Sequence, residues 1–537
     1  MESTDVLCRD RWRWLLRCGH DGAVVDNRLR LMDLLAALSV ATDLGMGQPP
    51  ETALRSSLLA TGLARVMDLP EDEVRIAYLG TLLRHVGCTA TASAEARLYG
   101  GDELVSRQAA QPADFGNARE MLRLTLSTGR GAGLKRPMRI ASAVLGDIRH
   151  GTEILAAVCD VASMLARRLG LGRAVQDCVT QQFERWDGKG LYGLAQDDVA
   201  LPARVGEVAT QAVLFLDADG SEAALAMVDQ RSGGWFDPAV AAAFGTSGAD
   251  LMEEVGAADP WRALLEAEPR PVAHIDAADL DRVARCFADM VDLKSPYTVG
   301  HSGQVAALAE AAARTLGLAE DDVVTLRRAA LLHDLGRVGV SSGVWDKKNA
   351  LTRTEWEQVR LHPYHTERIL SCSPTLVPLG RIAGLHHERL DGSGYHHGVS
   401  APAIPTTARI LAAADTFQTA TQDRPHRTAR TGEQAAEHLA EQAAAGRLDS
   451  DCVAAVIDAA GQDRPRVRRT WPAGLSDREV EVLRLLARGL SNQQIAERLV
   501  ISRRTAEHHV QHIYTRIGHS TRAAATLFAL EHDLLNP

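Results

Sequence analysis

The chain has 537 residues, of which 46% are hydrophobic, and a formal net charge of -10 at pH 7. This length indicates three or four domains, and the apolar runs are too short to cross a bilayer. The charged start does not resemble a signal peptide, so we expect a cytoplasmic protein with no membrane partner, and the negative charge confines any nucleic-acid contact to part of the surface.

Helical periodicity recurs along the chain, whereas strand patterns are almost absent. In the stretch QVAALAEAAARTLGL, for example, Val305, Leu308, Ala312 and Leu316 fall on one face of a helix. The pattern predicts an all-α protein.

An internal repeat organises most of the chain. The segment MDLPEDEVRIAYLGTLLRHVG matches LGLAEDDVVTLRRAALLHDLGRVG, and further on QFERWDGKG matches HHERLDGSG. Such self-similarity predicts two tandem copies of one helical domain. We place the copies at residues 28–255 and 276–461, after an N-terminal segment of residues 1–27.

The two copies differ at positions that carry metal-binding chemistry. The second copy has histidine or aspartate where the first copy has other side chains. The aligned pairs are His333 with Arg84, Asp334 with His85, His386 with Gln182, His387 with Phe183 and His301 with Thr52. We interpret the first copy as a degenerate domain that lacks a site which the second copy has.

Seven candidate metal ligands lie within or at the ends of apolar helical segments of the second copy. They are His301, His333, Asp334, His362, His386, His387 and Asp415. A single buried histidine is more often a core residue than a ligand, but seven such groups favour a metal site, because burying them unpaired is costly. Imidazole and carboxylate ligands suit iron, manganese, nickel or zinc. His333 and Asp334 are adjacent, so we expect both to reach one cavity from a helix, where two ions would promote hydrolysis of a phosphate ester.

The motif HDLGRVG followed by HHERLDGSGYH resembles the HD-GYP branch of the HD phosphohydrolases, which hydrolyse cyclic di-GMP at a site of two or three metal ions. The resemblance covers residues 290–420 strongly and the first copy weakly. It implies that Asp334 bridges two divalent ions, with iron or manganese favoured and nickel, zinc or magnesium as alternatives. The implied ligands of one ion are His301, His333, Asp334 and Asp415, and those of the other are Asp334, His362, His386 and His387.

Three residues depart from the pattern of that family. Arg337 stands where the family has a phosphate-contacting lysine, and His396 replaces the proline of the GYP motif. Tyr297 occupies a position where trinuclear relatives have glutamate, so two ions are expected. The resemblance still implies that Asp334 and Arg337 are catalytic. The residues expected to contact a nucleotide or another phosphoester are Arg337, Gly394, Tyr395 and His396.

Three polar residues of the second motif recur in the degenerate copy, which favours a role in the fold. The recurring pairs are Glu388 with Glu184, Arg389 with Arg185 and Asp391 with Asp187. Glu388 and Arg389 are candidates for a structural ion pair, and Asp391 is expected to shape the turn.

A basic, proline-containing linker is predicted at residues 462–473, before a third domain. Capping-box patterns at Ser476 and Ser491, with a further N-cap at Ser502, predict the starts of three helices. A helix, a short turn and a second helix form the geometry that places a recognition helix in the major groove of DNA.

The stretch LSDREVEVLRLLARGLSNQQIAERLVISRRTAEHHVQHIYTRIGHSTRAAA is similar to the LuxR-type helix-turn-helix along its whole length. The resemblance implies a four-helix domain at residues 474–537 that binds double-stranded DNA. Its last helix, Thr521 to Leu535, would serve dimerisation, so we expect a homodimer. The residues expected to contact DNA are Ser491, Asn492, Arg503, Arg504, Thr505, Glu507, His508 and Gln511.

Three functions are compatible with the sequence. In the first, a metal-dependent phosphodiesterase is fused to a transcriptional regulator, and occupancy of its site alters DNA binding. In the second, a transcription factor senses a nucleotide or a metal in the same pocket without catalysis. In the third, both copies are only a dimerisation scaffold, against which the buried histidines argue.

Overall fold

The structure is a computed structural model that describes residues 29–99, 101–127, 136–461, 471–532 and 534–535. The predicted N-terminal segment 1–27 and residues 462–470 of the predicted linker lie outside this part of the chain. The regular secondary structure of the described residues is almost entirely helical, which confirms the predicted all-α class. None of the described helices combines the length and the apolar character needed to span a membrane.

The first copy is a bundle of helices closed by a short sheet. Strand β1 (Leu29–Arg30) pairs antiparallel with strand β2 (His274–Ile275), which lies just before the second copy. The helices of the first copy are α1 (Leu31–Gly45), α2 (Thr52–Val66), α3 (Glu71–Leu82), α4 (Ala92–Tyr99), α5 (Glu103–Ala110), α6 (Ala118–Ser127), α7 (Arg136–Arg168), α8 (Arg173–Thr180), α9 (Leu201–Asp219), α10 (Ser221–Arg231), α11 (Pro238–Ala257) and α12 (Pro260–Ala267).

The second copy repeats this arrangement. Its helices are α13 (Ala277–Asp292), α14 (His301–Thr315), α15 (Glu320–Leu332), α16 (Ser342–Trp345), α17 (Arg353–Arg360), α18 (His362–Leu370), α19 (Val377–Ala383), α20 (Thr406–Thr421), α21 (Gly432–Ala444) and α22 (Ser450–Ala460). Buried apolar residues of α1, α3 and α7 form one hydrophobic cluster with those of α13, α14, α15 and α20, so the two copies share a continuous core.

Two glycines show which helices of the copies correspond. A Cβ atom on Gly87 would meet the backbone of Val158 and Ala162 in α7, and one on Gly336 would meet the backbone of His362 and Thr366 in α18. The end of α7 therefore occupies the place of α18, and Val158 stands where the second copy has His362.

A buried ion pair joins the two copies at the start of α16. The carboxylate of Glu103 in α5 lies 3.0 Å from Nζ of Lys294. It also accepts hydrogen bonds from Oγ of Ser341, at 2.7 Å, and from the backbone N–H of Ser342, at 2.8 Å. Ser342 begins α16, so the first copy supplies a carboxylate that fixes the start of a helix in the second.

The C-terminal domain has the four predicted helices: α23 (Asp477–Ala487), α24 (Asn492–Leu499), α25 (Arg503–Ile517) and α26 (Arg522–Glu531). Capping boxes at Ser476 and Ser491 are both formed, and Ser502 accepts a hydrogen bond from the backbone N–H of Thr505. The last helix is shorter than the predicted segment 521–535, because Thr521 is its N-cap and the helix ends at Glu531.

Candidate metal centre and DNA-binding surface

The HD motif lies at the end of α15. The helix ends at Leu332, His333 keeps helical backbone angles as the C-cap, and Asp334 leads into a 3-10 turn over Leu335–Gly339. The expectation that both side chains project from one helix is wrong for Asp334. The change in chain direction after His333 brings the two side chains to the same pocket, where both are buried.

One side of the pocket brings together four of the predicted ligands. Nε2 of His301 lies 3.2 Å from Oδ1 of Asp415 and 3.7 Å from Oδ2 of Asp334. Nε2 of His333 lies 3.6 Å from Oδ2 of Asp334 and 3.9 Å from Oδ1 of Asp415. His301 is the first residue of α14, His333 and Asp334 are adjacent at the end of α15, and Asp415 lies in α20, so three separate backbone segments would have to move apart to open this group.

The other side of the pocket brings together the remaining three histidines. Nε2 of His362 lies 3.4 Å from Oδ1 of Asp334, and Nε2 of His386 lies 3.7 Å from the same oxygen. His387 completes this group, with Nδ1 4.0 Å from Oδ2 of Asp415. The two oxygens of Asp334 thus face different groups of histidines, as a bridging carboxylate requires.

Backbone carbonyls set the orientation of three of these imidazole rings. Nδ1 of His333 lies 2.7 Å from the carbonyl oxygen of Ala330, and His362 and His386 have the same contact, at 2.6 Å, with the residue three positions earlier. A carbonyl accepts a hydrogen bond, so Nδ1 carries the proton and Nε2 presents a lone pair to the pocket.

Two of these lone pairs face each other. Nε2 of His362 and Nε2 of His386 are only 3.2 Å apart, while Nε2 of His301 and of His333 are buried without a hydrogen-bond partner. Lone pairs at this separation repel unless a proton or a cation lies between them. The donor set therefore fits divalent metal ions.

The electrostatics keep the pocket in the protonation state that binds metals. Burial alone would raise the pKa of Asp334, but Arg337 and the neighbouring histidines outweigh it and lower that pKa well below its usual value. Burial, together with His333 and His362, lowers the pKa of His386 to about 3. The carboxylate is thus ionised and the imidazole neutral at physiological pH.

Arg337 lies at the rim of the pocket. Its guanidinium donates a hydrogen bond of 2.8 Å to Oδ2 of Asp334 and stacks 3.9 Å from the centre of the Trp345 ring. Tyr395 lies on the opposite rim, with its ring centre 4.8 Å from that of His387. His396, in contrast, packs against Tyr364 outside the pocket.

The turn after the second histidine motif is held by Glu388. Its carboxylate accepts hydrogen bonds from the backbone N–H groups of His397, Gly398 and Val399, at 2.8 to 3.1 Å. Glu184 holds the matching turn of the first copy in the same way. Glu388 therefore has a role in the fold, but its partners are backbone amides and not the expected Arg389.

Asp391 shapes the same turn, as expected. Its Oδ1 accepts a hydrogen bond of 2.9 Å from the backbone N–H of Ser393 and one of 2.6 Å from the hydroxyl of that residue. Gly394 lies where the turn packs tightly against the preceding residues. A Cβ atom at this position would meet the backbone of His387 and Glu388.

An arginine fills the corresponding pocket of the first copy. Arg84, which aligns with His333, forms an ion pair of 2.5 Å with Glu207 and donates a hydrogen bond of 2.8 Å to the carbonyl of Gln182. Both members of the pair are nearly buried. A side-chain cation thus lies where the second copy has candidate histidine ligands.

Two residues near the metal pocket were missed in the sequence analysis. Gln422 holds His301 through a contact of 2.9 Å between its Oε1 and Nδ1 of the histidine. Arg424 is half-buried beside the pocket, and desolvation, together with the nearby Arg337, lowers its pKa to about 10. Neither belongs to a short motif that the sequence analysis used.

The recognition helix presents its predicted DNA contacts to solvent. Ala506, Val510 and Ile513 of α25 are buried, whereas Arg503, Arg504, Thr505, His508 and Gln511 are exposed. Glu507 is half-buried and pairs with Arg503 at 2.8 Å. At the start of α24, Ser491 is exposed and Asn492 half-buried.

The C-terminal domain packs against the loop that leads into His301. A Cβ atom on Gly300 would lie 3.5 Å from Leu535 and 3.6 Å from Leu530, and one on Gly489 would lie 2.8 Å from Pro296. A cavity of about 280 Å³ lies at the same junction, between α13, α14 and the end of the chain. The segment Pro296–Gly300 therefore touches the DNA-binding domain at both ends.

Helix α26 also contacts the first copy. The hydroxyl of Thr521 donates a hydrogen bond of 3.3 Å to Asp160, and Glu531 lies 3.6 Å from Arg167, both in α7. The helix to which the sequence analysis assigned dimerisation is thus packed against the body of its own chain.

Both kinds of domain match known families. Residues 285–452 match the family described as HD domain. Residues 473–529 match the family described as bacterial regulatory proteins, luxR family.

Known proteins resemble the chain beyond these two segments. The 3'3'-cGAMP-specific phosphodiesterase 3 of Vibrio cholerae is 30% identical over 447 residues, which are 81% of this chain and 95% of that protein. The cyclic di-GMP phosphodiesterase response regulator RpfG of Xanthomonas campestris is 34% identical over 36% of this chain and 50% of its own length. A crystal structure of a cyclic GMP-AMP specific phosphodiesterase of V. cholerae superposes with a TM-score of 0.56 and 26% identity, covering 82% of this chain and 99% of that one.

Proposed function

Because the chain belongs to the family of HD-domain phosphodiesterases, we propose that its second copy hydrolyses a phosphodiester bond of a cyclic dinucleotide such as 3'3'-cGAMP or cyclic di-GMP. The relatives named above act on these two substrates according to their names. The C-terminal LuxR-type domain binds DNA, so the same polypeptide joins a nucleotide-cleaving site to a transcriptional regulator.

The observation that carries this proposal is the pair of facing Nε2 atoms of His362 and His386. Their tautomers are set by backbone carbonyls, so the pocket is preorganised for cations. We propose that the seven predicted ligands hold two divalent ions, with iron or manganese favoured. Two such ions would supply an activated water and neutralise charge on the phosphoryl group.

The side chains around the pocket have separate roles in this proposal. Asp334 would help to hold both ions, because its two oxygens face the two groups of histidines. It thereby fixes the spacing of the two ligand groups. Arg337, held flat by Trp345, directs its guanidinium to a phosphate oxygen. Tyr395 provides an aromatic surface beside His387 on which a base can stack.

We further propose that the DNA-binding form is a homodimer, joined through α26, and that occupancy of the metal site controls it. Helix α26 packs against α7 of its own chain, and Pro296–Gly300 connects this docking site to His301. A ligand that shifts His301 moves the loop that supports the DNA-binding domain, so nucleotide binding and DNA binding are coupled.

The test is hydrolysis of 3'3'-cGAMP, cyclic di-GMP and simpler phosphodiesters by the iron- or manganese-loaded protein. Asp334→Ala removes the carboxylate proposed to bridge the ions, so we expect loss of the metal bound in the seven-ligand pocket and about a thousand-fold loss of turnover. Asp322→Ala, an equivalent change at an exposed position of α15, is the control and should retain both.

The same measurement separates the alternatives. Metal bound by the wild type without turnover on any substrate would replace the phosphodiesterase by the non-catalytic sensor. Full metal occupancy in Asp334→Ala would contradict the role of Asp334 as the bridge.

A further inference from the structure

A second cluster of metal-binding side chains lies outside the pocket of seven ligands. Oε2 of Glu367 in α18 lies 2.8 Å from Nε2 of His397 and 3.4 Å from Nε2 of His396. The two imidazole rings are neighbours, with centres 3.9 Å apart. One carboxylate and two histidines thus converge from α18 and from the turn that follows the second histidine motif.

The spacing of these atoms fits a metal ion. One ligand atom from each of the three residues lies within 4.8 Å of the other two. Ligands about 2.0–2.1 Å from a zinc ion at tetrahedral angles are about 3.3 Å apart, a value between the two Glu367 distances. Only small side-chain movements are needed to close the three groups around an ion.

The burial of His396 points to a missing partner. Both of its ring nitrogens are shielded from solvent and neither makes a well-aligned hydrogen bond, since Nε2 has only the 3.4 Å contact with Glu367, and a buried polar atom left in this state is costly. His397, by contrast, is 41% exposed, so the cluster is open to solvent on one side. An ion would satisfy Nε2 of His396 and would have a path of entry past His397.

The first copy has none of these three side chains. Gly87 and Gly336 meet equivalent backbone segments, which aligns Glu367 with Ser163. The contacts of Gly190 and Gly394 align the turns, so His396 and His397 correspond to Tyr192 and Gly193. The cluster is therefore present in the copy with the candidate metal pocket and absent from the degenerate copy.

We propose that Glu367, His396 and His397 form a separate site for a divalent transition-metal ion of the zinc class. Two imidazoles and one carboxylate are a ligand set that such ions prefer, and the open side leaves a fourth position for water. The ion joins the turn to α18, the helix that begins with the ligand His362. Tyr395 precedes His396, so the ion also fixes the aromatic ring beside His387.

The experiment counts zinc in the full-length protein. The protein is stripped with a chelator, equilibrated with zinc and passed through a desalting column, and the zinc per chain is measured by mass spectrometry. We expect His397→Asn and Glu367→Gln each to hold one ion fewer than the wild type. His274→Asn, which changes an exposed histidine of β2, is the control and should hold the wild-type number.

Asp334→Ala separates this site from the proposed catalytic centre. That variant should lose the ions of the seven-ligand pocket and keep one ion, which a further His397→Asn change removes. Cobalt in place of zinc gives a second readout, because its visible absorption reports the ligand set at the retained site. Hydrogen exchange of the amides at residues 392–399 should also slow when zinc is added to Asp334→Ala.

Two results would overturn the proposal. The first is an equal zinc count in the wild type and His397→Asn. The second is an ion that the desalting column removes from every protein, which would make it an adventitious ion only. If Asp334→Ala held as many ions as the wild type while His397→Asn held one fewer, the proposed function would fail and the separate site would stand.

Discussion

Glu103 and Lys294 form an ion pair that is buried between the two copies. Such a pair is held by its mutual attraction and by further hydrogen bonds, which offset the cost of removing both charges from water. Burial alone would raise the pKa of Glu103, but Lys294 and the amide and hydroxyl of the neighbouring serines lower it to about 2. At neutral pH the carboxylate of Glu103 is therefore ionised, and it opposes the burial that lowers the pKa of Lys294.

Neutralising the carboxylate should destabilise the protein strongly. We expect Glu103→Gln to lower the free energy of unfolding by about 3 kcal/mol, because Lys294 stays buried without a counter-charge. The measurement is the midpoint of urea unfolding followed by circular dichroism. In the double variant Glu103→Gln/Lys294→Met no buried charge remains, so most of the loss should be recovered. An equally unstable double variant would contradict this account.

The same pair predicts a dependence of stability on pH. A carboxyl whose pKa is lower in the folded state than its ordinary value of 4.5 stabilises the fold above that value. This contribution decreases as the pH falls below 4.5 and is lost near pH 2. Glu103→Gln/Lys294→Met lacks the contribution, so its stability should fall less than that of the wild type between pH 5 and pH 3. Parallel curves for the two proteins would contradict the assignment.

At the scale of the elements, the turn between α24 and α25 contains a strained residue. Val500 has φ 54° and ψ 49°, the left-handed conformation, and its side chain is 91% exposed. A β-branched residue pays about 1–2 kcal/mol for this conformation and gains no packing here. The left-handed conformation of this residue lets the chain turn from α24 into α25. Glycine adopts the same conformation without a steric cost, so the strain comes from the valine side chain.

Val500→Gly should therefore stabilise the C-terminal domain. We expect a gain of about 0.5–1 kcal/mol, because relief of strain exceeds the added flexibility of glycine in the unfolded chain. Thermal unfolding of the full-length protein, followed by hydrogen exchange in α25, measures this change. Val500→Ala is the control: it keeps a Cβ atom and should gain less. A lower stability of the glycine variant would show that Val500 has a packing role.

Most helices and the candidate ligands were predictable because short stretches of sequence indicate them. The capping boxes at Ser476 and Ser491 are patterns of four residues, and the repeat identified His333 by its contrast with Arg84. The contact of Glu103 with Lys294 joins residues 191 positions apart, and no local pattern marks it. The end of α15 before Asp334 was also missed, since the apolar pattern continues through the 3-10 turn. The domain boundaries stay a prediction.

At the scale of the whole molecule, the DNA-binding domain packs against both copies, including the copy that carries the candidate site. Leu530 and Leu535 contact the loop at Gly300, next to His301, and line the cavity at that junction. This packing covers part of α26. The proposed dimerisation through α26 would therefore compete with the docking of α26 on its own chain.

A charge at this junction should release the DNA-binding domain. We expect Leu535→Glu to increase both the dimer fraction and the affinity for double-stranded DNA several-fold, because the half-buried leucine loses its apolar contact with Gly300 and a partly desolvated carboxylate takes its place. Sedimentation velocity and fluorescence anisotropy at fixed salt measure the two quantities. Leu535→Met, which keeps the contact, is the control. Unchanged association and affinity in Leu535→Glu would contradict the competition.

The ion pair of Arg84 with Glu207 gives the two halves of the protein different sensitivities to chelators. In the first copy the positive charge belongs to the side chain of Arg84. We therefore expect the fold of this copy not to depend on bound metal. The proposed ions of the second copy can be removed, and their loss leaves ionised carboxylates and facing lone pairs without a counter-charge. In EDTA we therefore expect the second copy to loosen around its pocket at a lower temperature than the first copy, although the core that the two copies share couples their unfolding.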